Sequence, residues 1–143
     1  MRYAAFISRE GEQSLADFPD CPGCQTFADS DGIAAAAREA LEGWLEAHLV
    51  DGQVPPRPAK HTGAPEGNKL TWVPISATLA AALEVRWARA EMGLSQEQFG
   101  RLIRVTQQQI AKLEDPDQSP KLDTLERVAR ALGLELSFEF TPV

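Results

Sequence analysis

The apolar positions of this chain change their period several times, and each change marks an element. Arg2 to Ser8 (RYAAFIS) is a short apolar run in which Tyr3, Phe6 and Ile7 favour a strand. Glu10, Gly11 and Glu12 make a turn, and Ser14 to Phe18 returns as a second strand with Leu15 near its middle. Residues 19–24, PDCPGC, form a loop, because two prolines and a glycine do not fit a central strand. Gln25 to Ala28 is a short third strand, and the three together predict an antiparallel meander. From about Gly32 to Val50 the period becomes helical. Ser30 or Asp31 is the expected cap, and Ile33, Ala37, Leu41, Trp44 and His48 recur on one face. The alanines at 34–37 keep this helix slim enough to lie against the sheet, which three short strands need as a cover.

Residues 51–69 hold Pro55, Pro56, Pro58 and Pro65 with three glycines and no periodicity, and are expected to be a mobile or extended linker. Leu70 to Ile75 (LTWVPI) is a further strand, confined to an edge by Pro74. A helix over about Thr78–Met92 carries the stripe Leu79, Leu83, Trp87 and Ala90 and stops at Gly93. Arg86 and Arg89 lie off that stripe, so they either hold phosphate or solvate the surface. A short helix over Gln96–Ile103 has Ser95 as N-cap, Gln98 completing a capping box, and Phe99, Leu102 and Ile103 on its inner side. Thr106 caps the next helix, whose Ile110 and Leu113 point inward. The last helix, Lys121 to Leu132, buries Leu122, Leu125, Val128, Ala129 and Leu132. The chain then closes on LELSFEF, a strand with one apolar face.

The expected fold is α+β: a small antiparallel sheet with a covering helix over residues 1–69, then an all-helical domain over 70–143 ending in a dimerising strand. That strand pairs either with Leu70–Ile75 or with its own copy across a two-fold axis. Self-pairing is favoured, because it would hold two helical heads in an isologous dimer.

Composition refines this picture. A chain of 143 residues, 43% hydrophobic, suits one domain or two small ones. No stretch approaches the ~20 apolar residues of a membrane span, and the charged start MRYAAFISREGEQ has no signal-peptide core, so a cytoplasmic protein is expected. The net charge of -7 argues against a nonspecific nucleic-acid binder. Its distribution says more. Residues 1–69 carry six basic and eleven acidic side chains, whereas Arg86, Arg89, Arg101, Arg104 and Lys112 face only Glu91 and Glu97 between 86 and 112. An acidic front and a locally basic rear suggest two tasks and two partners.

The rear carries the sharper chemistry. With Ile110 and Leu113 inward, Gln107, Gln108, Gln109 and Lys112 fall on the outer face of a short helix. Amides pair bidentately with adenine, and an amine reaches guanine or phosphate. Gln96, opening its own helix, is placed to pin a phosphate. Arg104 in the turn and Thr106 at the cap complete the candidate DNA-contacting set. LSQEQFGRLIRVTQQQIAKLE resembles the helix-turn-helix of phage-repressor-type (Xre-type) regulators, with TQQQ at the end that enters the major groove. Arg104 stands where that family usually has a left-handed turn glycine, a substitution that costs roughly 1 kcal/mol.

Cys21 and Cys24 form a C-x-x-C, but a structural zinc site needs four ligands, and the motif does not open a helix as a redox pair would. Both are read as loop packing, with no metal and no cofactor. Asp17 and Asp20 flank one loop, while Asp29 and Asp31 fit as helix caps. A convergent carboxylate set for two-metal cleavage is not indicated, and no catalysis is expected.

The front half resembles the HicB antitoxin family. The matching residues are Tyr3, then Phe18-Pro19-Asp20 with Pro22-Gly23-Cys24, Thr26, Ala40-Leu41, and Val54-Pro55-Pro56 with Pro58. The resemblance implies a partial RNase H-like fold that silences a small mRNA-cleaving toxin, HicA. It also implies a C-terminal helix-turn-helix that represses the protein's own operon, as residues 113–133 (LEDPDQSPKLDTLERVARALG) further suggest. The expected partners are a HicA-like toxin, operator duplex DNA and a second copy of the chain. Two rivals remain: a stand-alone repressor whose front domain senses a small molecule, and a divergent nuclease.

Overall fold

A computed structural model describes residues 1–142. The front half is the expected antiparallel meander: β1 (Arg2–Glu10), β2 (Gln13–Asp17) and β3 (Gln25–Asp29). Gly11 takes the positive φ of 65° that the tight β1–β2 turn requires. The loop after β2 closes on itself, with Cys24 N–H donating to Cys21 O at 2.9 Å and Phe18 N–H to Cys24 O at 3.2 Å. Its cysteines thereby enter the core as small apolar side chains.

Helix α1 (Ile33–Val50) covers one face of the sheet through Ile33, Ala37, Leu41, Leu45 and Leu49. The stripe therefore continues from Leu41 by strict four-residue steps, and Trp44 and His48 fall on its flank. There their rings stack at 3.7 Å. Neither Ser30 nor Asp31 caps this helix. Gly32 is the N-cap, without a side-chain bond, and the Ser30 hydroxyl instead meets that of Ser14 at 2.8 Å.

Strand β4 (Asn68–Pro74) lies antiparallel beside β1, with Tyr3 opposite Val73 and Phe6 opposite Leu70, giving the order β3-β2-β1-β4. Pro74 sits at an edge, as its missing N–H demands. The segment between α1 and β4 is extended but docked. Trp87 Nε1 donates to Pro55 O at 2.6 Å and Tyr3 Oη to Pro56 O at 2.7 Å. Asp20 accepts from Ala59 N at 2.9 Å and meets His61 Nε2 at 2.9 Å, while the Arg57 guanidinium lies 4.5 Å over the Trp87 ring. Prolines predispose a chain to this role: they fix it extended and leave carbonyls as acceptors. A mobile linker is therefore not what forms.

Helix α2 (Ala77–Glu91) begins at Ser76, whose side chain accepts from Leu79 N. It serves two cores. Leu79, Ala82, Leu83 and Trp87 join Tyr3, Phe18, Leu41 and Leu45 in the front core. Val85 joins Phe99, Ile103, Ile110, Leu113 and Val128 in the rear core, with Ala88 packed against it. The boundary expected between 69 and 70 thus falls inside the front sheet, and the change of core runs along α2.

The rear core is built from α3 (Gln96–Ile103), α4 (Gln107–Leu113) and α5 (Leu122–Ala131). Leu102 and Leu122, expected inside, are 49% and 58% exposed. Short helices present only a narrow inner face, which Phe99, Ile103 and Val128 fill. The expected terminal strand does not form within the described single chain: Leu134–Phe140 has no ladder partner, and Leu134, Phe138 and Phe140 stay exposed. β4, its intramolecular candidate, pairs with β1 instead.

Candidate nucleic-acid interface

Two reciprocal caps set the helix-turn-helix. Ser95 Oγ accepts from Gln98 N at 3.1 Å while Gln98 Oε1 accepts from Ser95 N at 2.9 Å. The same exchange opens α4, where Thr106 Oγ1 accepts from Gln109 N at 3.1 Å and Gln109 Oε1 accepts from Thr106 N at 2.8 Å. Each cap satisfies helix-end donors that would otherwise lack partners. Between the helices Arg104 adopts the left-handed conformation, φ 63° and ψ 45°. Val105 N then donates back to Gly100 O at 2.8 Å. A Cβ on Gly100 would stand 2.7 Å from Val105 O, so only glycine lets the turn close on α3 at this distance.

This turn makes a direct prediction. Replacing Arg104 with glycine relieves the left-handed strain, and the variant is expected to gain about 1 kcal/mol of stability. Its urea midpoint measures that gain; an unchanged or lowered midpoint would mean the arginine side chain more than offsets its backbone cost.

With Phe99 and Ile110 fully buried, the outer surface of α4 is fixed. Gln107, Gln108, Gln109 and Lys112 all lie exposed on it, with Thr106 and Arg104 exposed just before. Gln109 differs from the others, because its carbonyl oxygen is engaged in the cap and only its amide nitrogen stays available. The signal was in the sequence: T-x-x-Q at 106–109 repeats the pattern S-x-x-Q at 95–98. Gln96 is half-buried, lining a cleft of about 340 Å³ with Leu49, Val50, Ala111 and Glu114.

Arg86 and Arg89 neither reach toward a phosphate nor solvate the surface. Both converge on Glu114, the C-cap of α4, which is 3% exposed. Arg89 Nε donates to Glu114 Oε2 at 2.7 Å, and its Nη1 to Leu94 O at 3.0 Å. Its bond to Glu114 holds the Arg89 guanidinium pKa above the ordinary value. Arg86 Nε donates to Glu114 Oε1, while Nη1 and Nη2 reach the carbonyls of Gln53 at 2.6 Å and Leu49 at 3.2 Å. This buried cluster ties the end of α1 to the end of α4. It also removes two of the five basic charges counted near α4. Arg101 pairs with Glu97, leaving Arg104 and Lys112 beside the exposed glutamines.

Cys21 and Cys24 are buried free thiols, pushed by that burial up to about 12 and about 11. Among the described residues no group of three or more His, Cys, Asp and Glu could hold a metal ion. Asp20 is spent on the proline strap and Asp17 accepts from Gln25 Nε2 at 3.0 Å. Among the described residues no helix is long and apolar enough to cross a membrane.

Known proteins match parts of this chain. Residues 85–138 match the Helix-turn-helix family. An uncharacterized HTH-type transcriptional regulator of Methanothermobacter thermautotrophicus is 45% identical over 51 residues, 36% of this chain and 74% of that protein. Among solved structures, a chain of a HicA3 and HicB3 toxin-antitoxin complex is 30% identical with a TM-score of 0.47, covering 53% of this chain and 99% of that one.

Proposed function

This chain belongs to the helix-turn-helix family of transcriptional regulators, and from that premise we propose that it is a HicB-type antitoxin that also represses its own operon. The observation that carries this reading is the union, in one chain, of a doubly capped reading helix and an acidic sheet domain. Gln107 and Gln108 are exposed on that helix with their amides uncommitted, as base readout requires. Lys112 reaches guanine or phosphate farther along α4, and Arg104, Thr106 and the Gln109 amide nitrogen contact the backbone. Gln96 is the least accessible of the set, and contributes at most one phosphate contact from the first turn of α3.

The front module, from β1 through β4, binds and covers a small basic HicA-like toxin, and its excess of carboxylates competes with RNA for the toxin's positive surface. The rear module, α3 to the terminus, dimerises. Leu134, Phe138 and Phe140 alternate with polar residues in a segment exposed in the single chain, which suits pairing with its copy across a two-fold axis. Two copies then set their α4 helices in successive major grooves, about 34 Å apart.

Co-expression with the product of the neighbouring reading frame tests this. Growth arrested by that product should resume when the chain is supplied, and the two should co-purify. Persistent arrest with separate elution would overturn the antitoxin reading.

A further inference from the structure

The sheet has two faces, and only one is fully covered. Side chains alternate across a strand, so Tyr3, Ala5, Ala16 and Val73 face α1, and their neighbours point to the opposite side. Over β1 and β4 that opposite side is covered by the strap, where His61 lies 5.8 Å from Phe6 and 6.4 Å from Trp72. Over β2 and β3 it is bare. There Phe27 is 52% exposed next to half-buried Leu15, its register partner.

The rows on either side of this pair are acidic. Asp17 stands one step along β2, and Asp29, opposite Gln13, stands one step along β3. Glu10, also opposite Gln13 across β1, extends the second row. No position on this half of the face is basic. β3 is moreover the outer strand of the sheet, so its backbone edge is unpaired. An exposed aromatic bracketed by carboxylates has the anatomy of an interface centre, an apolar anchor inside a charged rim.

We propose that the open face of β2 and β3, anchored by Phe27 and rimmed by Asp17, Asp29 and Glu10, is where this chain docks a small basic protein. The inference rests on the antitoxin reading and gives that partner its place: the surface is remote in sequence from α4. Charge complementarity selects the occupant. A second copy of this acidic chain would set like charges against one another at the rim, whereas a basic protein neutralises them.

The test uses full-length chain and the purified product of the neighbouring reading frame, with Kd measured by calorimetry at two salt concentrations. Phe27→Asp should weaken binding by at least about thirtyfold, the range of a hot-spot residue. The double variant Asp17→Asn with Asp29→Asn should bind more weakly at low salt and lose part of the salt dependence. Because Phe27 is half exposed, its variants should keep the wild-type thermal midpoint. Wild-type affinity in Phe27→Asp would overturn the surface while leaving the antitoxin reading intact. Failure of the wild-type chain to bind at all would overturn both. A drop in oligomeric state of Phe27→Asp without any partner would assign the face to a second copy and also overturn the proposal.

Discussion

Arg86→Ala is expected to cost about 3–5 kcal/mol of stability, the range for breaking one side of a buried ion pair. Three acceptors lose a donor at once: Glu114 Oε1 and the carbonyls of Leu49 and Gln53. Arg89 still neutralises Glu114, so the loss should fall mainly on the attachment of the rear helices to the end of α1. Arg86→Met with Glu114→Leu should cost less than Glu114→Leu alone, because the single change strands two guanidinium groups and the double change strands only Arg89. Denaturant unfolding of the single and double variants measures both statements. A single-variant loss below about 1 kcal/mol, the scale of an exposed pair, would show that the cluster is solvated in solution.

The second large effect belongs to α4. Gln107→Ala with Gln108→Ala removes both uncommitted amides from α4 and leaves the Thr106–Gln109 cap untouched. Each bidentate amide contact discriminates by about 1–3 kcal/mol, so the pair should lower operator affinity by roughly two to three orders of magnitude. Toxin neutralisation should be unchanged, since both residues lie outside the front core. Mobility-shift titration with promoter DNA, alongside a growth-rescue assay, separates the two. Equal loss in both assays would count against separate surfaces for separate partners.

What the sequence makes legible here is mostly local. The meander, the cap at Ser95, the turn at Arg104 and the inward pair Ile110 and Leu113 all follow from residues within one turn or hairpin of each other. Long-range closures were not readable. β4 pairs with a strand 60 to 72 positions earlier, from Ser8 opposite Asn68 to Arg2 opposite Pro74, and nothing in LTWVPI selects β1 over another edge. Arg86 reads as an outer-face arginine because its carboxylate lies 28 residues away and its carbonyl partners, Leu49 and Gln53, lie at the end of α1 and just beyond it. The register of α1 beyond Leu41 fits either Trp44 and His48 or Leu45 and Leu49 by spacing alone, and the sheet decides for the leucines. The prolines of the strap gave extension but not attachment, which depends on Asp20, Tyr3 and Trp87.

Native mass spectrometry of this chain mixed with promoter duplex and the product of the neighbouring reading frame shows whether both partners bind at once. One particle should hold the duplex, two copies of this chain and bound toxin together, because α4 and the β2–β3 face are built from different residues. Duplex and toxin that displace each other, or a chain that retains only one of them, would contradict it.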